Sequence, residues 1–434
     1  MRAFTIIAIF ILFVVTMDLY SYRGIHHLLG ITVHWKGIFM LVYFGVSAAM
    51  LAALLWTGSR FRASRDPSLF FSISLVMGIF LMLYLPKLLF NATQLLGDIP
   101  VLAARIIRGA GETGASMEPA GSGTLMAGAI SFRKWCLVPG AVLGIGLFIA
   151  FGMGMLRGRT NVKIFREEVA ITGLPDTFDG LKIVQLSDLH LAGFYNQPGH
   201  LSGIVDMVNS LEPDMILFTG DMVHNFAEEM DPFIEILNDL QAPLGKFAVL
   251  GNHDYGRYFT WESEEAEAAN LEKVKEQVRN AGFDLLLNEH REVSHNGDSL
   301  EIIGVENWGK PPFPREGDLQ KALAGTDPGL VKILLSHDPS HWDLQVQGKA
   351  PVALTLSGHT HGMQFGFEIG DFRWSPSRWT YKHWAGLYGE NGQYLYVNRG
   401  LGYTGFPGRV GIRPEITMLT LKAIDPAAGN QYEP

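Results

Sequence analysis

The chain has 434 residues, 48% of them hydrophobic, a mean hydropathy of +0.16 and a net charge of −9 from 34 Lys+Arg and 43 Asp+Glu. It is too long for one typical domain and too apolar for a soluble enzyme, so a membrane part is expected. The single cysteine, Cys136, excludes an intramolecular disulfide framework and a thiolate zinc site, and no disulfide-linked partner is expected.

The apolar excess lies before Leu156, in four stretches at 3–20, 37–56, 68–85 and 135–156. Each is long enough to cross ~30 Å of hydrocarbon as a helix. The last three contain no charged residue; the first carries only Asp18, expected to reach the interface from near the end of its stretch. With no ionisable residue near their centres, the spans argue against a transport pathway. The first is read as a span rather than a cleaved signal peptide, because no small-x-small site follows it.

Between the third and fourth stretches, Ile99–Ile107 looks amphipathic and Gly109–Gly123, rich in Gly, Ala and Ser, reads as a flexible loop. Arg60, Arg62 and Arg65 crowd the short second loop, and Arg157, Arg159, Lys163 and Arg166 form a collar after the fourth span. The positive-inside rule puts both on the cytoplasmic side of the cell membrane, with the C-terminal part of this multi-pass chain. Lys87, Arg105, Arg108, Arg133 and Lys134 in the long third loop pull the other way, but long loops count less.

Residues 157–180 read as a juxtamembrane connector, and 181–434 as a second domain with 1–156 as the first. From Leu181 onward, apolar strands alternate with helical stretches, the pattern of an α/β domain. The strands are expected at Leu181–Leu186, Met215–Thr219, Phe247–Leu250, Glu301–Val305, Val331–Leu335, Val352–Leu356, Tyr394–Val397 and Ile416–Leu421. Glu262–Arg279 is charged at helical spacing, a solvated surface helix. After residue 156 the chain holds 23 basic against 38 acidic residues, a poor surface for nucleic acid.

Five strands run directly into metal-ligand residue types: Asp188-Leu189-His190, Gly220-Asp221, Gly251-Asn252-His253-Asp254, His337, and Gly358-His359-Thr360-His361. Singly, each is more simply a turn or a helix cap. Together, outside the carboxyl ends of strands, they converge on one edge. Oxygen donors mixed with imidazoles suit Mn²⁺, Fe or Zn²⁺. Seven side chains exceed the needs of one ion and suit two divalent ions roughly 3.5–4 Å apart sharing a carboxylate, for which Asp221 is the natural bridge. Gly220, Gly251 and Gly358 let the backbone turn beside those ligands.

The series Asp-x-His, Gly-Asp, Gly-Asn-His-Asp, His, Gly-His-x-His over roughly 181–363 resembles that of the calcineurin-like metallophosphoesterases. The four spans and the tail Val397–Gly402 with Arg413-Pro414-Glu415-Ile416 resemble the membrane-associated bacterial branch of that family. The resemblance implies an α/β metallophosphoesterase domain, a β-sheet sandwich flanked by helices, behind a four-helix transmembrane region. It implies Asp188, His190, Asp221 and His361 around one ion and Asp221, Asn252, His337 and His359 around the other. It further implies hydrolysis of a phosphate ester by a metal-bound hydroxide, with His253 as the catalytic imidazole and Asp254 orienting that ring. Substrates in view are a phosphodiester or pyrophosphate, including a lipid-linked one met at the membrane; the alternative is a membrane sensor or scaffold that binds through a phosphoesterase-like fold. Glu306-Asn307-Trp308 departs from the family's acidic pair and alters the expected substrate contacts. His200, His224, His295, His341 and His383 lie outside the ligand pattern, whereas Arg399, Arg409 and Arg413 are candidates to hold a substrate anion, with surface salt bridging the equal alternative.

Overall fold

The computed structural model describes the chain apart from residues 1, 31, 62–64, 113–121, 196, 312, 371 and 425–434. It divides into two compact units, Met1–Arg60 with Leu75–Met153, and Phe61–Ser74 with Gly154–Pro434.

The first unit is built from four helices, α1 (Arg2–Leu29), α2 (Val33–Phe61), α3 (Ser68–Glu112) and α4 (Ser122–Leu156). All four are long and apolar enough to cross a membrane. The expected amphipathic run Ile99–Ile107 and the start of the expected flexible loop continue α3 through Glu112, past Pro86 and Pro100. A proline removes one bond of the ladder and kinks a helix without having to end it. Residues 113–121 of that loop and Arg62 of the basic loop lie outside the described residues, and the loop's last two residues begin α4.

Asp18 lies well inside α1 and is not near the end of a span. Its side chain is buried within the unit, 2% exposed, with Lys87 Nζ 2.6 Å from Oδ1 and the Tyr84 hydroxyl donating to Oδ2 at 3.0 Å. The Lys87 ammonium also lies 4.4 Å from the Tyr84 ring and 4.7 Å from the Tyr43 ring. The longer α3 explains the difference, because it places Lys87, two residues past the third apolar stretch, opposite Asp18. The spans therefore do contain ionisable residues, matched as a pair, and the argument against transport loses that support.

The second unit begins with β1 (Lys163–Thr172), β2 (Lys182–Leu186), α5 (Pro198–Asn209), β3 (Met215–Phe218), α6 (Ile234–Asn238), β4 (Lys246–Ala248), α7 (Glu264–Asn280) and β5 (Asp284–Leu285). It continues with β6 (Glu289–His295), β7 (Asp298–Gly304), α8 (Leu319–Leu323), β8 (Lys332–Leu335), β9 (Leu354–Ser357), β10 (Phe367–Ile369), β11 (Phe372–Trp374), β12 (Gly386–Glu390), β13 (Gln393–Val397) and β14 (Glu415–Ile424). Two six-stranded sheets, ordered β1-β14-β2-β3-β4-β5 and β12-β13-β9-β8-β7-β6, and a hairpin of β10 with β11 make up its strands.

The pattern of β2 shows why the sheets stack. Ile183 points into a core shared with Leu217, Leu419, Ile333 and Leu354 from both sheets, while Val184 and Leu186 point the other way, into a core with α5 and α7. Strands apolar on both faces belong in the middle of such a sandwich. Helix α7 stays solvated on its charged face; Ser263 caps it, accepting from the Ala266 amide, and Glu264, Glu265 and Glu267 occupy its first turn.

All eight expected strands are present. Residues 163–172, placed in a connector because of their basic residues, instead form β1, in register with β14 from Lys163 against Glu415 to Thr172 against Ile424. Breaking the Asp18–Lys87 pair strands a charge in an apolar setting, so Lys87→Met is expected to cost about 3 kcal/mol. Lowered thermal midpoints of the detergent-solubilised chain, less than additive in Asp18→Asn/Lys87→Met, would report it.

Candidate metal centre

The loops following β2, β3 and β4 of one sheet and β8 and β9 of the other carry the seven expected donors to one place. Asp188 and His190 follow β2, Asp221 follows β3, Asn252 follows β4, His337 follows β8, and His359 and His361 follow β9. Asp188, His190 and His361 form one group with donor atoms within 4.8 Å of one another, and Asp221, His337 and His359 a second. In the first, His361 Nε2 is 3.1 Å from Asp188 Oδ1 and 3.1 Å from His190 Nε2. In the second, His337 Nε2 is 3.1 Å from Asp221 Oδ2 and 3.2 Å from both Asn252 Oδ1 and His359 Nδ1. Asp221 Oδ2 is also 3.6 Å from His190 Nε2, so that carboxylate faces both groups.

Holding these side chains inward strains the backbone. Asp188, His190, Asp221, His359 and His361 all adopt positive φ, between 47° and 71°. That region costs an L-residue roughly 1–2 kcal/mol and persists only where the surroundings impose it. Gly220, at φ 97°, turns the chain ahead of Asp221. At Gly358 the reason for glycine is proximity: a Cβ there would run into Ser187 Oγ and Asp188 Oδ2.

The electrostatics call for a cation. Asp188 is 0% exposed and Asp221 1%, with no Lys or Arg bonded to either carboxylate among the described residues. Burial pushes the Asp188 carboxyl up, but the imidazoles of His361 and His337 and the Ser187 hydroxyl hold it well below the carboxylate range. Burial pulls the His337 imidazole down, yet Asp221, Asp188 and the Thr219 carbonyl outweigh it and raise it to about 10. His190, by contrast, is driven far below its ordinary value by burial and by the neighbouring imidazoles. One proton on His337 Nε2 cannot satisfy Asp221, Asn252 and His359 together, whereas a divalent cation accepts all of those lone pairs. The donor set thus fits metal, and imidazole with carboxylate and amide oxygen suits Mn²⁺, Fe or Zn²⁺. Ring orientation fits as well: His337 Nδ1–H donates to the Thr219 carbonyl at 2.7 Å, and His359 Nε2 meets the Tyr381 hydroxyl at 2.7 Å, leaving the other nitrogen of each ring for the site.

His253 stands beside this cluster, its ring 4.8 Å from that of His190. The expected partner of that ring is different, however. Asp254 accepts from the backbone amides of Gly251, Asp221 and Val223 at 2.8, 2.9 and 3.1 Å, tying the loops after β3 and β4 together. Burial, then the charge of Asp221, pushes its carboxyl up to about 7. The ring of His253 is instead oriented by the His224 carbonyl, which accepts from Nδ1 at 2.8 Å.

His224, left out of the expected pattern, groups with His190 and His253, and its ring packs 4.2 Å from Phe70. Its distance after Gly220-Asp221 carries no recognisable ligand spacing, so only the loop conformation reveals it. That loop is held by Glu229, buried, which accepts from the amides of His224, Asn225, Phe226 and Ala192 at 2.6, 2.8, 2.9 and 3.2 Å. Burial pushes its carboxyl up to about 7 against the pull of those four donors.

Of the three arginines offered for a substrate anion, only Arg409 reaches the cluster, with Nη2 3.2 Å from His361 Nδ1 and Nη1 donating to the His361 carbonyl. Arg399 is buried against Glu415 and Glu368, Arg409 donates to the carbonyls of Arg399, Gly400 and Gly402, and Arg413 donates to Asn161 and Val162. Charge drew them as candidates, but glutamates, the tail's own turns and the segment ahead of β1 already take up their hydrogen bonds. Glu306 is likewise structural, accepting from Asn288 at 2.8 Å and Tyr255 at 3.2 Å. Of the histidines set aside, His341 bonds Ser336 and Gln345, and His383 lies by Asp343. Glu229→Ala would leave four buried amides without an acceptor and is expected to destabilise the unit by at least about 3 kcal/mol, read as a lower thermal midpoint.

Residues 181–363 match the family model described as calcineurin-like phosphoesterase, and residues 1–159 that of a probable calcineurin-like phosphoesterase transmembrane domain. Uncharacterized metallophosphoesterase YkuE of Bacillus subtilis is 34% identical over 257 residues, 58% of this chain and 82% of that protein. A transmembrane protein with metallophosphoesterase domain from Danio rerio is 31% identical over 62% of this chain and 59% of its own length. UDP-2,3-diacylglucosamine pyrophosphatase LpxG of Chlamydia trachomatis is 30% identical over 51% of this chain and 78% of that protein. Four apolar helices, a sandwich that gathers histidines and aspartates at its strand ends, and these relatives agree: the chain is a membrane protein and a hydrolase of phosphoric esters, and it belongs to the calcineurin-like metallophosphoesterase family.

Proposed function

We propose that the chain hydrolyses a phosphodiester or pyrophosphate, lipid-linked in its natural form, at a site holding two divalent ions. The observation that carries the reading is the pair of donor groups facing one carboxylate, Asp221, between them. Asp188, His190, Asp221 and His361 would hold one ion, and Asp221, Asn252, His337 and His359 the other. Bound there, the ions supply an acidified water and neutralise phosphoryl oxygens. The chain's residues do the rest. Asp221 keeps both groups in register while its Oδ1 accepts from the His253 amide at 2.8 Å, so the shared carboxylate also positions the catalytic loop. His253, its Nδ1–H held by the His224 carbonyl, would present Nε2 to protonate the leaving oxygen.

The lipid part of the proposal is supported by the covalent attachment of this unit to four apolar helices and by the lipid pyrophosphate named for the Chlamydia relative. Placement of the unit in the cytoplasm is supported by Arg60, Arg65 and the basic collar at 157–166. The sensor or scaffold alternative is disfavoured because no donor of the set is replaced.

Asp221→Asn is expected to lose at least one ion per chain and nearly all hydrolysis of bis-p-nitrophenyl phosphate, since an amide lacks a second anionic oxygen. Metal analysis finding two ions and normal turnover in that variant would remove Asp221 from the bridging position. His253→Ala is expected to keep its metal and lose about 100-fold or more in kcat, while His337→Ala and His359→Ala lose metal as well. Equal metal content in all three variants would contradict that division of roles. For topology, a reporter fused after Pro434 is expected to be active only in a cytoplasmic form, and one inserted near Gly121 only in an exported form; the reverse pattern moves the phosphoesterase domain outside.

A further inference from the structure

The hairpin of β10 and β11 is built inside out. Its register pairs Phe367 with Trp374, Glu368 with Arg373 and Ile369 with Phe372. Alternation therefore puts Phe367, Ile369, Phe372 and Trp374 on one face and both charged residues on the other. A surface hairpin ordinarily buries its apolar face. Here the charged face turns to the protein: Glu368 Oε1 is 2.6 Å from Arg399 Nη2, with only 17% of its side chain exposed, and the Arg373 guanidinium lies 5.2 Å from the centre of the Tyr388 ring. The apolar face is open, with Ile369 72% and Phe372 59% exposed, and Trp379, set edge-on to Trp374 at 5.8 Å, is 76% exposed.

This hairpin is fastened to the site. It starts six residues after His361, the Ser375 hydroxyl donates to the Gly362 carbonyl at 2.6 Å, and the segment then returns to Tyr381, whose hydroxyl meets His359 Nε2 at 2.7 Å. Deepening the proposed lipid-linked substrate, and resting on that reading, we propose that the open face of the β10–β11 hairpin with Trp379 docks into the surface of the bilayer that the chain itself crosses. It thereby presents lipid-linked phosphoesters to the donors at its root.

A bilayer fits this face better than another protein. Aromatic rings with Arg378 and Lys382 beside them have the composition of residues that settle at the headgroup level. The handful of exposed side chains falls well short of the roughly 20–30 residues a side that a stable protein interface uses. The docking is shallow, because strand edges cannot leave their backbone groups unpaired in hydrocarbon.

The test uses the full chain in nanodiscs of phosphatidylcholine and phosphatidylglycerol, with Cys136→Ser and a fluorescent label on Ile369→Cys, or on Phe372→Cys as a second position. The reference label sits on Lys349→Cys, outside the hairpin. Spin-labelled lipids carrying the nitroxide at headgroup depth are expected to quench the hairpin labels several-fold more than the reference, and iodide several-fold less, since interfacial segments sit roughly 5–10 Å deep. Iodide quenching equal to the reference would overturn the proposal. So would efficient cross-linking of two chains through Ile369→Cys, which would assign the face to a second copy. Quenching is read without turnover, so its failure is distinguishable from a failure of the hydrolysis tests.

Discussion

Two carboxylates removed from water, Asp188 and Asp221, set the terms for the whole phosphoesterase unit. Ionised groups in such a place demand opposite charge and hydrogen bonds at close range. The protein answers with imidazoles and backbone amides instead of Lys or Arg, which leaves the charge for a metal to complete. The sandwich serves that arrangement: its two stacked sheets bring loops from β2, β3 and β4 against loops from β8 and β9. The left-handed residues concentrated at the donors show where the stability of the sheets is used to hold strained geometry. Outside the loops, the unit follows ordinary rules of alternation and capping.

The donors were legible because each lies within four residues of a strand rich in buried aliphatic side chains, so local pattern and chemistry coincide. Asp188 and His361, 173 positions apart in number, needed no fold to be recognised as members of one set. What stayed hidden depends on where side chains turn once the chain is packed. Asp254 sits next to His253 in sequence but faces the amides of three other residues, while His224, far from it in sequence, supplies the carbonyl that fixes the ring. Arg399 and Arg409 carry the charge a phosphate would want, but Glu415 and Glu368 pair with the first and the carbonyls of Gly400 and Gly402 take up the second. Sequence shows charge; only packing shows whether it is already used.

The membrane unit taught a related lesson. Apolar stretches mark where a helix can cross, but they understate its length when polar residues are paired inside. Lys87 lies outside the third stretch by composition and inside α3 by structure, and its partner Asp18 then becomes an interior residue. β1 was missed for a comparable reason: basic residues at 157–166 read as a collar, although a strand covered by a neighbour on one side tolerates them on its open edge.

The pairing of β1 with β14 also constrains how the protein comes into being. Arg413, just ahead of β14, bonds Asn161, just ahead of β1, across 252 positions of sequence. A ribosome delivers the four apolar helices and β1 well before β14, so β1 emerges without its neighbour and stays so while the whole intervening chain is made. Closing so long a loop is slow and leaves sheet edges open in the meantime. The four helices are thus made before the hydrolytic unit can close, and its first sheet completes only after β14 has emerged. Every donor of the cluster also lies after the four helices in the sequence, so the site is assembled on a chain whose membrane segments already exist.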